Sequence, residues 1–158
     1  MALTVPISEI VDHIGEETGV GEWSVMGQDR INQFADVTED WQYIHVDEEK
    51  AKDSMFGGTI AHGFLTLSML VKMSQGALIE IEGVETVINY GFEKIRFLAP
   101  VPSGSKIRAR VVLKDAVIKG AGKRALVTNE ITVEIDGGKR PALVAEWIFM
   151  AVTAPVGK

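Results

Sequence analysis

Cysteine is absent from the 158-residue sequence, which removes disulfides, thiolate nucleophiles and cysteine-ligated metals at once. Long apolar runs are missing too, because no stretch approaches the ~18 consecutive apolar residues that a membrane span needs. The opening residues, Met1 to Ile10, carry no basic segment ahead of an apolar run, so no signal peptide is expected. Positive charge is scarce: 16 Lys and Arg stand against 22 Asp and Glu, a net charge of −6. No dense basic run is available to neutralise phosphates, which argues against a nucleic-acid protein. The excess acid reads as a solvated surface. A reducing, cytoplasmic setting agrees with the lack of cysteine, and neither a membrane nor a nucleic acid is expected as a partner.

What remains is the profile of an ordinary globular chain, 46% apolar and 24% charged, with glycine spread along its length. The length allows one domain with a real core and is short for two. No repeat or linker divides it, so residues 1–158 are read as a single domain with its core over about 8–153. After a strand-like piece at 22–26, the first half reads as short helices and loops. Residues 28–37 place Ile31, Phe34 and Ala35 at helical spacing, with Asp29 suited to the first turn. Residues 47–52 read as an exposed helix, broken by Gly57-Gly58.

From Gly63 to Val71 the chain carries no charge, and its apolar residues fall on nearly every face. The run continues through Met73 and Ala77, too long for a typical strand, and a helix apolar all round is expected to be buried all round. The second half reads as four long strands, at 84–98, 105–117, 124–135 and 141–152. The third is the clearest, alternating Val127, Asn129, Ile131, Val133 and Ile135 with Thr128, Glu130, Thr132 and Glu134. Asp136-Gly137-Gly138 follows as a hairpin turn. The last strand has Leu143, Trp147 and Phe149 on one face and Val144, Ile148 and Met150 on the other, which calls for a helix on one side and a partner on the other. One buried helix followed by a meander of long strands fits an α+β hot-dog fold, a long antiparallel sheet wrapped around a central helix. Strand edges and the two-faced strand favour a homodimer.

Of three histidines, His13 lies in a polar, glycine-flanked stretch and reads as a surface residue. Asp40 and His45 stand five apart, about 140° apart on an α-helix, and converge only if the chain turns between them. Trp41, Tyr43 and Ile44 supply apolar bulk that would shield an acid/base pair. The alternative is a capping Asp and a core His with a satisfied hydrogen bond. His62-Gly63 precedes the apolar helix, where glycine permits close approach of a ligand to unpaired N–H groups, or simply tight helix–sheet packing. The two histidines 17 apart, with no helical His-x-x-x-His, make a weak metal signal, so no metal is expected.

These residues resemble the MaoC-like dehydratases, the family that includes (R)-specific enoyl-CoA hydratases. The resemblance rests on Asp40, Ile44-His45, Asp47, and Ala61-His62-Gly63 followed by Phe-Leu-Thr-Leu-Ser. It extends to Tyr90-Gly-Phe-Glu-Lys-Ile-Arg-Phe-Leu-Ala-Pro-Val101, and together these cover most of residues 28–150. It implies that Asp40 and His45 activate one water and that the Gly63 N–H binds the thioester carbonyl, with Gln42 and His62 in support. The implied reaction is reversible hydration of trans-2-enoyl-CoA to (3R)-3-hydroxyacyl-CoA, with acyl-CoA as substrate and no cofactor. Gln42-Tyr43 departs from the family's Asn-Pro and resembles a NodN-like branch that keeps the Asp and His.

Three other readings remain. A hot-dog thioesterase would commonly place a carboxylate on the central helix, and residues 63–71 have none. A non-catalytic acyl-thioester-binding subunit draws on the Gln42-Tyr43 departure. Dehydration of carrier-protein substrates would call for a basic entrance, which Lys94, Arg96, Arg108 and Arg110 form only if the strands gather them. Leu67, Met69, Leu70, Met73, Phe92 and Trp147 are candidates to line an acyl cavity, and equally candidates for plain core.

Overall fold

The computed structural model describes residues 2–153. In chain order these form β1 (Thr4–Val5), a 3-10 turn (Ile10–His13), β2 (Glu17–Val20) and β3 (Ser24–Val25). Five helical segments follow: α1 (Gln28–Thr38), α2 (Tyr43–Val46), α3 (Glu48–Lys52), α4 (Gly63–Ser68) and α5 (Leu70–Met73). Then come β4 (Glu80–Ile81), β5 (Val84–Phe97), β6 (Lys106–Lys119), β7 (Arg124–Ile135) and β8 (Leu143–Thr153). The main sheet is antiparallel with strand order β2-β6-β7-β8-β5, and β3 also pairs with β6. This is the expected α+β hot-dog architecture, with the four long strands within two residues of their expected bounds.

The strands form where side chains alternate. On β7, Val127, Asn129, Ile131 and Val133 are buried while Glu130 faces out; on β8, Leu143, Ala145, Trp147, Phe149 and Ala151 turn inward. The turn at Gly137 has a left-handed φ of 70°, and the Gly138 N–H donates to Ile135 at 2.9 Å. The connection is nonetheless longer than a tight hairpin, because β8 begins only at Leu143.

Helices α4 and α5 act as one rod. The Met69 N–H donates to Leu65 (3.0 Å) and the Met73 N–H to Met69 (2.9 Å), carrying helical bonding across the junction. Leu65, Leu70 and Met73 pack into a core with Ile31, Ile131, Leu143 and Trp147. A second cluster around Ile10, Leu113, Val127 and Phe149 fills the far end. All-round burial of this helix does not hold, however. Phe64 is 68% exposed and Val71 55%, with Ser68 between them, because the sheet wraps only one side. The opposite row, at helical spacing, is largely uncovered among the described residues, with Phe64 meeting Phe97 only edge-on.

Two further differences have plain causes. β2 escapes a sequence reading because Glu17-Thr18-Gly19-Val20 is short and polar, and its position comes from backbone contact. A Cβ on Gly19 would lie 2.8 Å from the Ala77 Cα, and one on Gly21 only 1.6 Å from the Met73 carbonyl oxygen. The basic entrance patch does not form either. β6 and β5 are separated by β7 and β8, so Arg108 and Arg110 lie away from Lys94 and Arg96. Arg108 is paired with Glu134 at 2.7 Å and lies over the Trp23 ring, while Arg110 binds Glu17 and Glu134.

β5 is an edge of the sheet, and Val87, Ile88 and Tyr90 are exposed on it. Among the described residues no helix is long and apolar enough to cross a membrane.

Gly21→Ala forces its methyl group into the end of the central helix. It is expected to lower unfolding stability by about 1–3 kcal/mol or more, read from urea denaturation midpoints, whereas Gly27→Ala, with open space around the added methyl, should cost well under that.

Candidate active site

Asp40 and His45 meet because no helix runs between them. α1 ends at Glu39, a non-glycine residue in the left-handed region (φ 58°), and the Asp40 N–H caps back to Ala35 at 3.1 Å. The chain then runs without helix through Trp41 and Gln42 before α2 starts at Tyr43. α2 is a single turn that directs His45 inward, where it is 7% exposed. His45 Nδ1 lies 2.7 Å from the Ile60 carbonyl, and the Ile60 N–H returns a 3.0 Å bond to the Ile44 carbonyl. A carbonyl only accepts, so Nδ1 carries the proton and Nε2 keeps its lone pair in the neutral ring. Gln28, which sequence reasoning missed, buttresses this turn. Its amide donates to the His45 carbonyl (2.7 Å) and its oxygen accepts from the Thr59 hydroxyl (2.6 Å). A glutamine opening a helix carries no signal of such a role.

His62 closes the cluster. It is 3% exposed, its Nε2 donates to the Asp40 main-chain carbonyl at 3.0 Å, and its ring stacks on His45 with centroids 3.9 Å apart. Donor atoms of Asp40, His45 and His62 all lie within 4.8 Å of one another, a convergence the sequence spacing did not suggest. A water with hydrogen bonds of ~2.8 Å spans ~4.6 Å between two partners, whereas donors around tetrahedral zinc sit ~3.3 Å apart. His62 Nε2 stands 4.0 Å from Asp40 Oδ2 and is already donating to a carbonyl, so the arrangement suits a water better than a metal.

Gly63 opens α4. The first helical bond runs from the Thr66 N–H to the His62 carbonyl, which leaves the Gly63 N–H without an intrahelical acceptor. Gly63 borders two cavities that both reach His45. One, of about 540 Å³, is walled by Asp40, His62, Phe64, Leu67 and Ser68. The other, of about 250 Å³, is bounded by Ala61, Phe97 and Val101. A Cβ at Gly63 would press the Phe97 ring at 3.1 Å. Tight packing and access to a ligand therefore hold together at this position.

Two expectations need correction. Trp41 (56% exposed) and Tyr43 (37%) do not shield the pair: Trp41 Nε1 donates to Asp36 and Tyr43 lies beneath Lys50. Phe34, tilted against His62, and buried Ile60 supply that cover. Gln42 supports Asp40 through its backbone, with its N–H 3.4 Å from Oδ1, while its side chain is exposed. Of the candidate lining residues, Leu67 borders the cavity beside Asp40 and His45, and Trp147, stacked on Phe92, borders a separate cavity of about 660 Å³ with Val71 and Ser74. Leu70 and Met73 are core, and Met69 packs against it.

Burial is the main force on His45, pushing its pKa below the ordinary imidazole value of 6.5. His62 acts in the same direction, against the Ile60 hydrogen bond and the Asp40 charge. At neutral pH the ring is therefore an uncharged acceptor at Nε2, held beside an exposed carboxylate. The pair can share the protons of one water.

The family model for the MaoC-like domain matches residues 9–135. Nodulation protein N of Rhizobium leguminosarum bv. viciae is 45% identical over 143 residues, covering 90% of this chain and 88% of that protein. The 3-hydroxyacyl-thioester dehydratase Z of Mycobacterium tuberculosis is 43% identical over 146 residues, covering 92% and 95%. An Archaeoglobus protein described as a monoamine oxidase regulatory protein superposes with a TM-score of 0.79 at 28% identity, over 98% of this chain and 99% of that one.

A lowered His45 pKa ties stability to pH. Its contribution is intact above 6.5 and is lost as pH falls through 6.5 toward the folded value, because the unfolded chain then binds the proton first. The parent's urea midpoint is expected to fall between about pH 7 and 5 more steeply than that of His45→Gln; parallel curves would refute the assignment.

Proposed function

Because this chain belongs to the MaoC-like dehydratase family, on its NodN-like branch, we propose that it reversibly hydrates trans-2-enoyl-CoA to (3R)-3-hydroxyacyl-CoA, with Asp40 and His45 acting on one water. The observation that carries this reading is the convergence of the exposed Asp40 carboxylate and the buried, uncharged His45 ring beside the Gly63 N–H. Water donates one hydrogen bond to an Asp40 oxygen and the other to His45 Nε2. As its oxygen attacks C3, one of the two takes a proton, and the site delivers a proton to C2. The product thus gains OH at C3 and H at C2. The Gly63 N–H holds the thioester oxygen as negative charge builds there, an interaction on the order of 10²–10³ in rate. The reaction uses the CoA thioester and no metal or other cofactor, and we place it in the cytoplasm. The 3R outcome is taken from the family resemblance.

CoA is favoured over an acidic carrier protein because Arg108 and Arg110 are already neutralised by Glu17 and Glu134. Hydrolysis is disfavoured, since α4 and α5 carry no carboxylate. The Gln42 departure is compatible with the same chemistry, because the part of Gln42 that reaches the pair is its backbone N–H, 3.4 Å from Asp40 Oδ1, while its side chain is exposed.

The functional unit is a homodimer. The free edge of β5, with Val87, Ile88 and Tyr90, and the uncovered helix row of Phe64 and Val71 form apolar surfaces that a second copy would cover.

Purified protein is expected to bleach the enoyl absorbance of at least one member of a chain-length series of 2-enoyl-CoAs. Asp40→Asn and His45→Gln should each lower kcat by about 10²–10⁴, and parental rates in both would sink the mechanism. Ile88→Lys combined with Tyr90→Glu should convert the dimer to monomer in analytical ultracentrifugation; an unchanged sedimentation coefficient would place the interface elsewhere.

A further inference from the structure

Resting on the hydration reading above, we infer that His62 is a positioning residue that locks the Asp40 carbonyl and the His45 ring in register with the Gly63 N–H. Three contacts converge on its buried ring. Nε2 donates to the Asp40 carbonyl at 3.0 Å, one face stacks on His45 at 3.9 Å with 25° between planes, and Phe34 packs against it at 5.0 Å. His62 is also the N-cap residue of α4, so it is covalently joined to Gly63. One side chain therefore links the loop that carries Asp40, the single turn that carries His45 and the start of the central helix.

The remaining nitrogen makes this placement specific. With Nε2 donating, the neutral ring's lone pair lies on Nδ1, which is buried and has no hydrogen-bond partner among the described residues. Plain packing between Phe34 and His45 would be served better by a phenyl ring, which leaves no buried polar atom unpaired. What phenylalanine lacks is the N–H that fixes Asp40. That carbonyl matters because the Asp40 side chain is 52% exposed and, among the described residues, accepts one hydrogen bond, a long 3.4 Å contact from the Gln42 N–H. The Asp40 backbone is thus held at its N–H by Ala35 and at its carbonyl by His62. Asp40 Oδ2 stands 4.0 Å from the same His62 nitrogen, within reach of a modest side-chain turn. The titratable groups facing His45 are Asp40 from the loop after α1 and His62 from the start of α4.

His62→Phe removes the hydrogen bond while keeping an aromatic face, and His62→Gln keeps a donor while losing the stack. His62→Phe is expected to lower kcat by about tenfold or more, since small displacements of reacting groups are costly, with KM little changed. The acid limb of kcat/KM should move to higher pH as the opposing neighbour is lost, and the His45 imidazole titration followed by NMR should move with it. His62→Gln should recover part of kcat but show a shifted His45 titration. Should His62→Phe not fold, the His62→Gln titration stands in its place. Parental kcat and an unmoved His45 titration in the folded variants would overturn the inference. A parent that turns over no enoyl-thioester would defeat the hydration reading alone, because the NMR titration still decides whether His62 governs His45.

Discussion

The hydrogen bond from His45 Nδ1 to the Ile60 carbonyl, 2.7 Å long, joins two segments that are also tied by the Ile60 N–H to Ile44 and by the Gln28 bridge, and it alone among these bonds fixes the imidazole ring. One is the single turn α2, too short to be stable alone. The other is the extended stretch before the central helix, bound on its far side by the Ala61 N–H to Val101 (2.8 Å) and the Ser103 N–H to Thr59 (2.9 Å). Residues 59–61 are thus held between the site and the segment 101–103 that precedes β6. The bond fixes the His45 tautomer, aims Nε2 outward, and sets the distance from α2 to Gly63. Without it the buried Nδ1 would lose its hydrogen-bond partner and the ring would be freer to turn.

The sheet supplies the rigidity that the turn lacks. β2 lies backbone against backbone on the end of the α4–α5 rod through Gly19 and Gly21, and the rod's buried row packs on β6, β7 and β8. The helix N-terminus, and with it Gly63, is therefore placed by contacts at both ends of the rod. The site sits where a rigid rod meets a laced loop, which places a half-exposed carboxylate beside a buried imidazole. The same wrapping leaves Phe64 and Val71 uncovered, so the architecture that orders the site also creates the apolar face attributed to a second copy.

Much of this was legible in the residues themselves. Alternation along 124–135 and the uncharged run from Gly63 determine the strands and rod, because period and length are local properties. The Asp40–His45 pairing was legible only as a possibility, since it depends on the left-handed turn at Glu39, a conformation that glutamate does not advertise. Gln28 and Phe34 were invisible as site residues because their partners, Thr59 and His62, lie 31 and 28 positions away along the chain. The exposure of Trp41 and Tyr43 was misread for the opposite reason. Local hydrophobicity suggested a shield, while Asp36 and Lys50 draw both rings to the surface. β2 was missed because backbone contact, not side-chain pattern, places it.

The central claim is that one water, held on one side of the substrate by Asp40 and His45, supplies both groups that are added. Hydration of an enoyl-CoA in D₂O, with the product analysed by NMR for relative configuration, tests it most directly. The account predicts a single deuterium at C2, on the same face as the new oxygen at C3, because both come from one cluster. Addition to opposite faces would require a second catalytic group across the substrate and would contradict the one-water site.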